Sequence, residues 1–86
     1  MYYVYMLMNP KTGEPYYGFT EDLRRRFKEH QGQSKHQGWK LIYYEAYLSD
    51  GDARDRERKL KQYGATRGHL KNRLERSIAR GLESAG

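Results

Sequence analysis

The amino-acid sequence predicts an α+β domain: a small three-stranded, mostly antiparallel sheet flanked by helices in the order β-β-α-β-α-α. Two aromatic-rich segments near the start of the chain are separated by a stretch dense in turn-forming residues, and a third lies in the middle. The second half instead carries apolar residues at helical spacing. Aromatic residues favour strands, and an apolar residue every three or four positions indicates a helix. With 86 residues, the chain is predicted to form one domain over residues 1–86.

Three segments are predicted to form the strands. Residues 2–8, with the sequence YYVYMLM, are apolar on both faces and indicate a buried strand. Asparagine, proline and glycine within residues 9–15 predict a hairpin turn, after which the chain returns through residues 16–19. Residues 39–48 are rich in tyrosine and predict a third strand that is central or well covered.

The first helix is predicted to begin with Thr20 as its N-cap and to run to about Gln31, ending near Gly32. Glu21 and Asp22 would then lie in its first turn, where carboxylates interact favourably with the helix dipole.

Two further helices are predicted after the third strand. The polar residues 33–38 indicate an exposed loop before that strand, and Ser49 can cap the second helix, which would stop with Gly64 as its C-cap. Thr66 is predicted to open the third helix, because an apolar stripe with a spacing of four follows it. The stripe comprises Leu70, Leu74, Ile78 and Leu82.

Composition narrows the possible functions. The chain has no cysteine, which excludes disulfides and thiolate chemistry. Its 17 Lys and Arg residues outnumber 11 acidic ones, and the net charge of +6 favours an anionic partner, most commonly nucleic acid. The alternative is a merely soluble basic protein. The apolar start over residues 1–8 is too short for a signal peptide or a membrane span. We therefore expect a cytoplasmic protein without a membrane partner.

Helical spacing brings several candidate functional residues together. Arg26 and His30 are four apart and lie beside the packed edge of the first helix, close to the turn at Gly18. On the second helix, Glu57 shares a face with apolar residues, where a carboxylate needs a partner cation or a metal. The exposed cations predicted to contact phosphates are Arg24, Arg25, Lys28 and Lys61.

Each candidate also has a purely structural interpretation. The tyrosines could be core aromatics, the glycine could permit a turn, the arginine could be solvated and the histidine could lie on the surface or cap a helix. Glu57 could pair with Lys61 at i,i+4. Their joint occurrence in this order and spacing favours a functional site. The set comprises Tyr5, Tyr16, Gly18, Arg26, His30 and Glu57.

These residues resemble the GIY-YIG nuclease family. Its first motif is matched by Tyr3-Val4-Tyr5 and its second by Tyr16-Tyr17-Gly18, with Arg26 and His30 at the family distances from the motif glycine. The segment over residues 53–61 is similar to the one that carries the family's metal-binding glutamate, here Glu57. Residues 41–45 are similar to the third strand of the small stand-alone members, and the resemblance covers residues 2–75.

The sequence departs from the family pattern at three points. Tyr3 stands where the first motif opens with glycine, and Tyr17 stands where the second has an aliphatic residue. Neither departure removes a reacting group. Asn72 is the only candidate for the asparagine found near the end of many larger members.

The resemblance implies a metal-dependent endonuclease that hydrolyses phosphodiester bonds in DNA with low sequence specificity, in repair or processing. Glu57 would bind one Mg²⁺ or Mn²⁺, and Arg26 would stabilise charge on the phosphate. Tyr5, with Tyr16 beside it, would orient or deprotonate the attacking water, and His30 would assist by hydrogen bonding or proton transfer.

Two other classes of function stay open at this point. One is a catalytically silent module that binds nucleic acid through the same basic helices and tyrosines. The other is a small structural adaptor. Glu57 distinguishes the nuclease from the binding module, because a carboxylate facing a phosphate site does not help binding. The form of the nucleic acid and the oligomeric state are not encoded in these patterns.

Overall fold

A computed structural model of the protein describes residues 1–83, in which one three-stranded sheet is flanked by four helices. This confirms the predicted α+β class and adds one helix to the predicted order. The elements are β1 (Tyr2–Met8), β2 (Pro15–Thr20), α1 (Leu23–Gly32), β3 (Lys40–Tyr47), α2 (Asp50–Gln62), α3 (Gly64–Arg73) and α4 (Glu75–Glu83).

The sheet has the order β2-β1-β3, and both strand pairs are antiparallel. β1 is therefore central, and its residues from Val4 to Met8 are all buried. The predicted third strand exists, but a central position for it is wrong, because β3 lies at an edge and Tyr44 is largely exposed. A register irregularity between Met6 and Leu7 leaves Ile42 between the paired positions of β3.

Alternation along β1 supplies two different cores. One side of the sheet packs against α2, α3 and α4, and its buried cluster is apolar apart from one hydroxyl; its members are Val4, Met6, Tyr17, Ala53, Leu60 and Leu70. The other side packs against α1 and holds a smaller cluster; its members are Tyr5, Leu7 and Trp39, with Tyr16, Leu23, Phe27 and Leu41 packed around them. α1 thus covers the tyrosine side of the sheet.

The N-cap of α1 is Asp22, and the prediction of Thr20 is wrong. The Asp22 carboxylate accepts a hydrogen bond from the Arg25 backbone N–H at 3.1 Å. Thr20 instead completes β2, and its hydroxyl accepts from the Asp22 N–H at 3.1 Å. Two polar residues compete for the same turn, and the one nearer the helix makes the capping bond.

The region after α2 also differs from the prediction. Ser49 caps α2 as expected, accepting from the Asp52 N–H at 3.2 Å. Gly64 does not end α2, because Tyr63 occupies the C-cap and Gly64 is the first residue of α3. The predicted third helix begins there rather than at Thr66, and it is interrupted at Leu74, so its apolar stripe is divided between α3 and α4.

Burial along this stripe decreases towards the end of the chain. Leu70 is buried, Leu74 and Ile78 are partly buried against the apolar cluster, and Leu82 is exposed. None of the helices within residues 1–83 is long and apolar enough to cross a membrane.

Candidate active site

The contact between Gly18 and Tyr5 explains the glycine of the second motif. The two residues face each other across the β1–β2 pair, and the Tyr5 ring lies directly over the Gly18 Cα. A Cβ at this position would collide with Cζ and the hydroxyl of Tyr5. The absence of a side chain at Gly18 therefore leaves the space that the Tyr5 ring occupies. The interpretation of this glycine as a turn residue is wrong, because Gly18 lies within β2.

His30 is buried and hydrogen-bonded to Tyr5. Its side chain, on the last part of α1, is 1% exposed, and Nε2 lies 2.7 Å from the Tyr5 hydroxyl. Burial lowers the pKa of His30 to about 4, with Arg26 and His36 contributing. Burial also raises the pKa of Tyr5 to about 12, assisted by Tyr16. Both rings are therefore neutral at pH 7, and a surface or capping role for His30 is wrong.

His36 is the site residue that the sequence analysis missed. Residues 33–38 were predicted to be an exposed loop, but the His36 ring is 4% exposed and its Nδ1 lies 3.1 Å from Nδ1 of His30. It also contacts the rings of Tyr16 and Trp39, with centroids 4.5 and 4.8 Å away. A histidine amid polar residues gives no periodic signal. The available hint was Gly38, two residues further on.

The loop folds back because Gln31 and Gly38 hold it. Gly38 has a φ of 82°, a conformation that glycine adopts without steric cost. The Gln31 side chain donates from Nε2 to the Trp39 carbonyl at 2.8 Å and accepts from the Gly38 N–H at 3.1 Å. The loop is thus tied to α1 by bonds that do not involve the His36 ring.

Arg26 lies beside the tyrosine hydroxyls on the same side of α1 as His30. Its side chain is 34% exposed and pairs with Glu29 at 3.2 Å. Burial alone would lower the pKa of Arg26, but Glu29 and the hydroxyls of Tyr5 and Tyr16 raise it. The guanidinium is therefore a fixed cation within reach of both hydroxyls, with one side open to solvent.

Glu57 reaches the same region from α2. Its carboxylate is 23% exposed and accepts an ion pair from Lys61 at 3.2 Å, the i,i+4 pair that was the structural alternative. Its charge contributes to the raised pKa of Tyr5, and the Lys61 ammonium lies 5.9 Å from the centre of the Tyr16 ring. The structure therefore brings Glu57 to the tyrosines and also pairs it with Lys61.

A partly buried ion pair fixes the part of α2 that carries Glu57. Arg56 donates from Nε to both oxygens of Glu45 on β3, at 3.2 and 3.0 Å. Burial would raise the pKa of Glu45, but hydrogen bonds from Tyr43 and Tyr47 and the Arg56 cation lower it. In the sequence, Glu45 is simply one residue of the segment that predicts the third strand. Its role is to bind the residue that precedes Glu57.

A groove with basic residues at its rim runs along the other side of α1. It encloses about 690 Å³ and has an aromatic and aliphatic wall formed by Tyr3, Leu23, Phe27, Leu41 and Tyr44. Arg24 and Lys28 line its rim together with the acidic Glu21 and Asp22, and Arg25 lies nearby on the exposed face of α1. Cations beside exposed aromatic rings can contact the backbone and the bases of a nucleic acid strand.

The tyrosines, imidazoles, guanidinium and carboxylate described above all belong to one small α+β domain. The model of the GIY-YIG catalytic domain family matches residues 1–72 of the 86-residue chain, and the chain belongs to this family. No curated protein and no solved structure matches the chain. GIY-YIG proteins are nucleases, hydrolases that act on nucleic acid.

Proposed function

We propose that the protein is a metal-dependent endonuclease that hydrolyses phosphodiester bonds in DNA with low sequence specificity, in repair or processing. The observation that carries the proposal is the convergence of Arg26, Tyr5 and His30 with the Glu57 carboxylate. Hydrolysis needs charge stabilisation at phosphorus, a positioned water and help for the leaving oxygen. The cytoplasmic location stays a prediction.

Arg26 is assigned to the phosphate. Its guanidinium is permanently charged, partly exposed and held by Glu29. A phosphate placed against its open side would lie beside the hydroxyls of Tyr5 and Tyr16. Tyr5 is assigned to orient the attacking water, and Tyr16 supports the Tyr5 ring at a centroid distance of 6.3 Å.

Glu57 is assigned as the protein ligand of one Mg²⁺ or Mn²⁺. Within residues 1–83 no group of three His, Asp or Glu side chains lies together as a metal site, so a multi-ligand cage is not available. A half-buried carboxylate beside a phosphate site fits Mg²⁺, which keeps several waters and uses one or two carboxylates together with substrate phosphates. Such an ion supplies Lewis-acid stabilisation of the leaving oxygen. Lys61 would have to leave the carboxylate when the ion binds.

The surface cations are assigned to binding rather than chemistry. Arg24, Arg25 and Lys28 are exposed on α1, and two of them line the rim of the aromatic groove. Their contacts with phosphates would position a strand without reading its sequence. Lys61 is also assigned to the nucleic acid, since its release from Glu57 would free its ammonium.

The decisive experiment compares two isosteric substitutions on α2. Glu57→Gln is expected to abolish cleavage of labelled DNA in Mg²⁺ or Mn²⁺ while leaving DNA affinity and the thermal midpoint nearly unchanged. Asp55→Asn is the matched control, because Asp55 is also on α2 but pairs with Arg58 and Lys59 on the exposed face. It is expected to cleave normally. Cleavage by Glu57→Gln at the wild-type rate would refute the assignment.

A catalytically silent binding module is the second candidate. The Glu57–Lys61 pair favours it, since a neutralised carboxylate no longer repels phosphate. The same assay separates the two functions: salt-dependent DNA binding without cleavage in either metal would establish the module. Absence of any DNA binding would instead leave the structural adaptor.

A further inference from the structure

Three rings form a continuous buried chain of hydrogen bonds. The Tyr5 hydroxyl lies 2.7 Å from His30 Nε2, and the other nitrogen of that ring lies 3.1 Å from His36 Nδ1. All three side chains are at most 4% exposed. Burying a hydroxyl and two imidazoles requires hydrogen-bond partners for their polar atoms, and here these side chains serve as partners for one another.

The contact between the two imidazoles couples the tautomer of one ring to the tautomer of the other. Burial, the Arg26 cation and the neighbouring ring lower the pKa of His30, and burial with Lys35 and Arg26 lowers that of His36. Two neutral imidazoles that meet through Nδ1 have one proton between them, because each neutral ring has one donor and one acceptor nitrogen. Whichever ring donates, its tautomer and that of its neighbour are set together.

Arg26 favours one of the two arrangements. A guanidinium can only donate hydrogen bonds, so the Tyr5 oxygen must act as the acceptor towards Arg26. The Tyr5 hydroxyl proton is then donated to a different acceptor. His30 Nε2 is the acceptor within 2.7 Å. If Nε2 accepts, the proton of neutral His30 lies on Nδ1 and is donated to His36.

We propose that His36 is a positioning residue: it accepts the Nδ1–H of His30 and thereby keeps His30 Nε2 unprotonated, ready to take the proton of the Tyr5 hydroxyl. The proposal rests on the proposed nuclease function and adds a role to a residue outside the family motifs. It makes Tyr5 a proton carrier between water and His30.

The proton transfers balance in this arrangement. As the water oxygen bonds to phosphorus, one water proton passes to the Tyr5 oxygen while the Tyr5 proton passes to His30 Nε2. The leaving oxygen takes the electron pair of its bond to phosphorus and acquires a proton from solvent. His30 becomes an imidazolium whose Nδ1–H still points to His36, and after the product has left it returns its extra proton to solvent through the Tyr5 hydroxyl. Tyr5 never has to exist as a phenolate, which its raised pKa disfavours.

Substrate binding would increase the basicity of His30. The groups that face His30 are Tyr5 from β1, Tyr16 from β2, Arg26 and Glu29 from α1, and His36 from the loop. Lys35, Arg26 and Glu14 are the charges that act on His36. Among these, the Arg26 cation opposes the protonation of His30. A phosphate bound to Arg26 would offset that cation and raise the pKa of His30.

The loop geometry allows the His36 nitrogens to be removed without breaking the hydrogen bonds that hold the loop. Gln31 and Gly38 hold the loop without the His36 nitrogens, so His36→Phe keeps a ring against Tyr16 and Trp39 but removes the acceptor. His36→Asn places an amide oxygen near the former Nδ1 and can restore the acceptor.

The test is the tautomer of His30, measured by long-range ¹H–¹⁵N correlation of imidazole-labelled protein at pH 7. We expect a proton on Nδ1 in the wild type, a mixture of tautomers in His36→Phe, and a return towards the Nδ1–H form in His36→Asn. A wild-type proton on Nε2, or an unchanged tautomer in His36→Phe, would overturn the proposal. This measurement does not require cleavage, so it distinguishes failure of the relay from failure of the nuclease function.

Cleavage kinetics provide the second readout. His36→Phe is expected to lower kcat about tenfold without changing KM, within the range of acid–base contributions. The same change in a His30→Ala background should have no further effect, because the residue acts through His30. Equal losses in both backgrounds would contradict the proposal, as would a fall in thermal midpoint that accounts for the lost rate.

Discussion

The two sides of the sheet are built from the same central strand but have opposite chemistry. Towards α2 and α3, Val4 and Met6 pack with Ala53, Leu60 and Leu70 in an almost wholly apolar cluster. Towards α1, aromatic rings fill the space between the sheet and the helix. Their hydroxyl and nitrogen atoms form hydrogen bonds with one another. The first side contributes stability through burial. The second places neutral hydroxyls and imidazoles next to the Arg26 cation.

Tyr16 and Tyr17 show this difference between adjacent residues. Tyr16 lies on the α1 side, against the rings of Tyr5, His30 and His36. Tyr17 lies in the apolar cluster, and its buried hydroxyl has no hydrogen-bond partner among the described residues. A tyrosine therefore lies among polar rings on the α1 side of the sheet, whereas on the other side it contributes only to apolar packing.

After the loss of cleavage expected for Glu57→Gln, the largest expected effect concerns the cations of α1. Arg26→Ala should lower turnover by about 10²–10³-fold, because it removes charge stabilisation required mainly in the transition state. Arg24→Ala and Arg25→Ala, which are exposed neighbours, should weaken DNA binding modestly and reduce its salt dependence. Single-turnover kinetics and salt titrations measure the two effects. Identical behaviour of all three variants would remove any special role for Arg26.

The next effect concerns pH and the stability of the polar side. The pKa of His30 is about 4 in the folded protein, against about 6.5 for an unfolded chain. Between these values the unfolded chain binds a proton that folded His30 does not. The contribution of His30 to the free energy of unfolding is therefore fully present above pH 6.5. It is lost as the pH drops towards 4, which lowers the free energy of unfolding by about 3 kcal/mol.

Urea denaturation between pH 7 and pH 4.5 measures this dependence. His30→Phe should flatten it, whereas His69→Gln, which changes an exposed histidine of α3, should leave it unchanged. His36, whose pKa is also lowered, should account for part of the slope that remains in His30→Phe. Parallel curves for wild type and His30→Phe would show that folding does not lower the pKa of His30.

The smallest effects separate the tyrosine hydroxyls. Tyr5→Phe should lower turnover by about 10–100-fold with the fold intact, and Tyr16→Phe should cost less. Tyr17→Phe should leave turnover unchanged and stability equal or slightly higher, since it removes an unpartnered buried hydroxyl. Thermal melts and cleavage rates measure all three. Wild-type rates in both Tyr5→Phe and Tyr16→Phe would assign these residues to packing alone.

Local patterns in the sequence were sufficient for the strands and for most of the first two helices. The aromatic run of β1, the turn formers after it and the Ser49 cap each act within a few residues, so their consequences could be predicted. The errors fall where two local options compete. Thr20 and Asp22 both offer an oxygen to the start of α1, and Tyr63 and Gly64 can both mark the end of α2.

The proximity of the candidate residues was predicted in part, and their catalytic roles stay predictions. Arg26 and Glu57 could be selected because helical spacing places them on defined faces. The burial of His36 could not, because it depends on how Gln31 and Gly38 fold a polar loop back onto α1. The Arg56–Glu45 pair was equally inaccessible, since its partners are 11 residues apart on different elements.

The position of Glu57 on α2 has a consequence for the order in which the protein assembles. The proposed groups for phosphate contact and proton transfer all come from residues 5–36, whereas the carboxylate follows 21 residues later, after β3 has been synthesised. α2 packs on all three strands and is joined to β3 through Arg56 and Glu45. A chain emerging from the ribosome therefore lacks one of the proposed catalytic groups until the whole sheet exists and α2 has packed on it. Partial opening of α2 would likewise silence the site while the sheet remained folded.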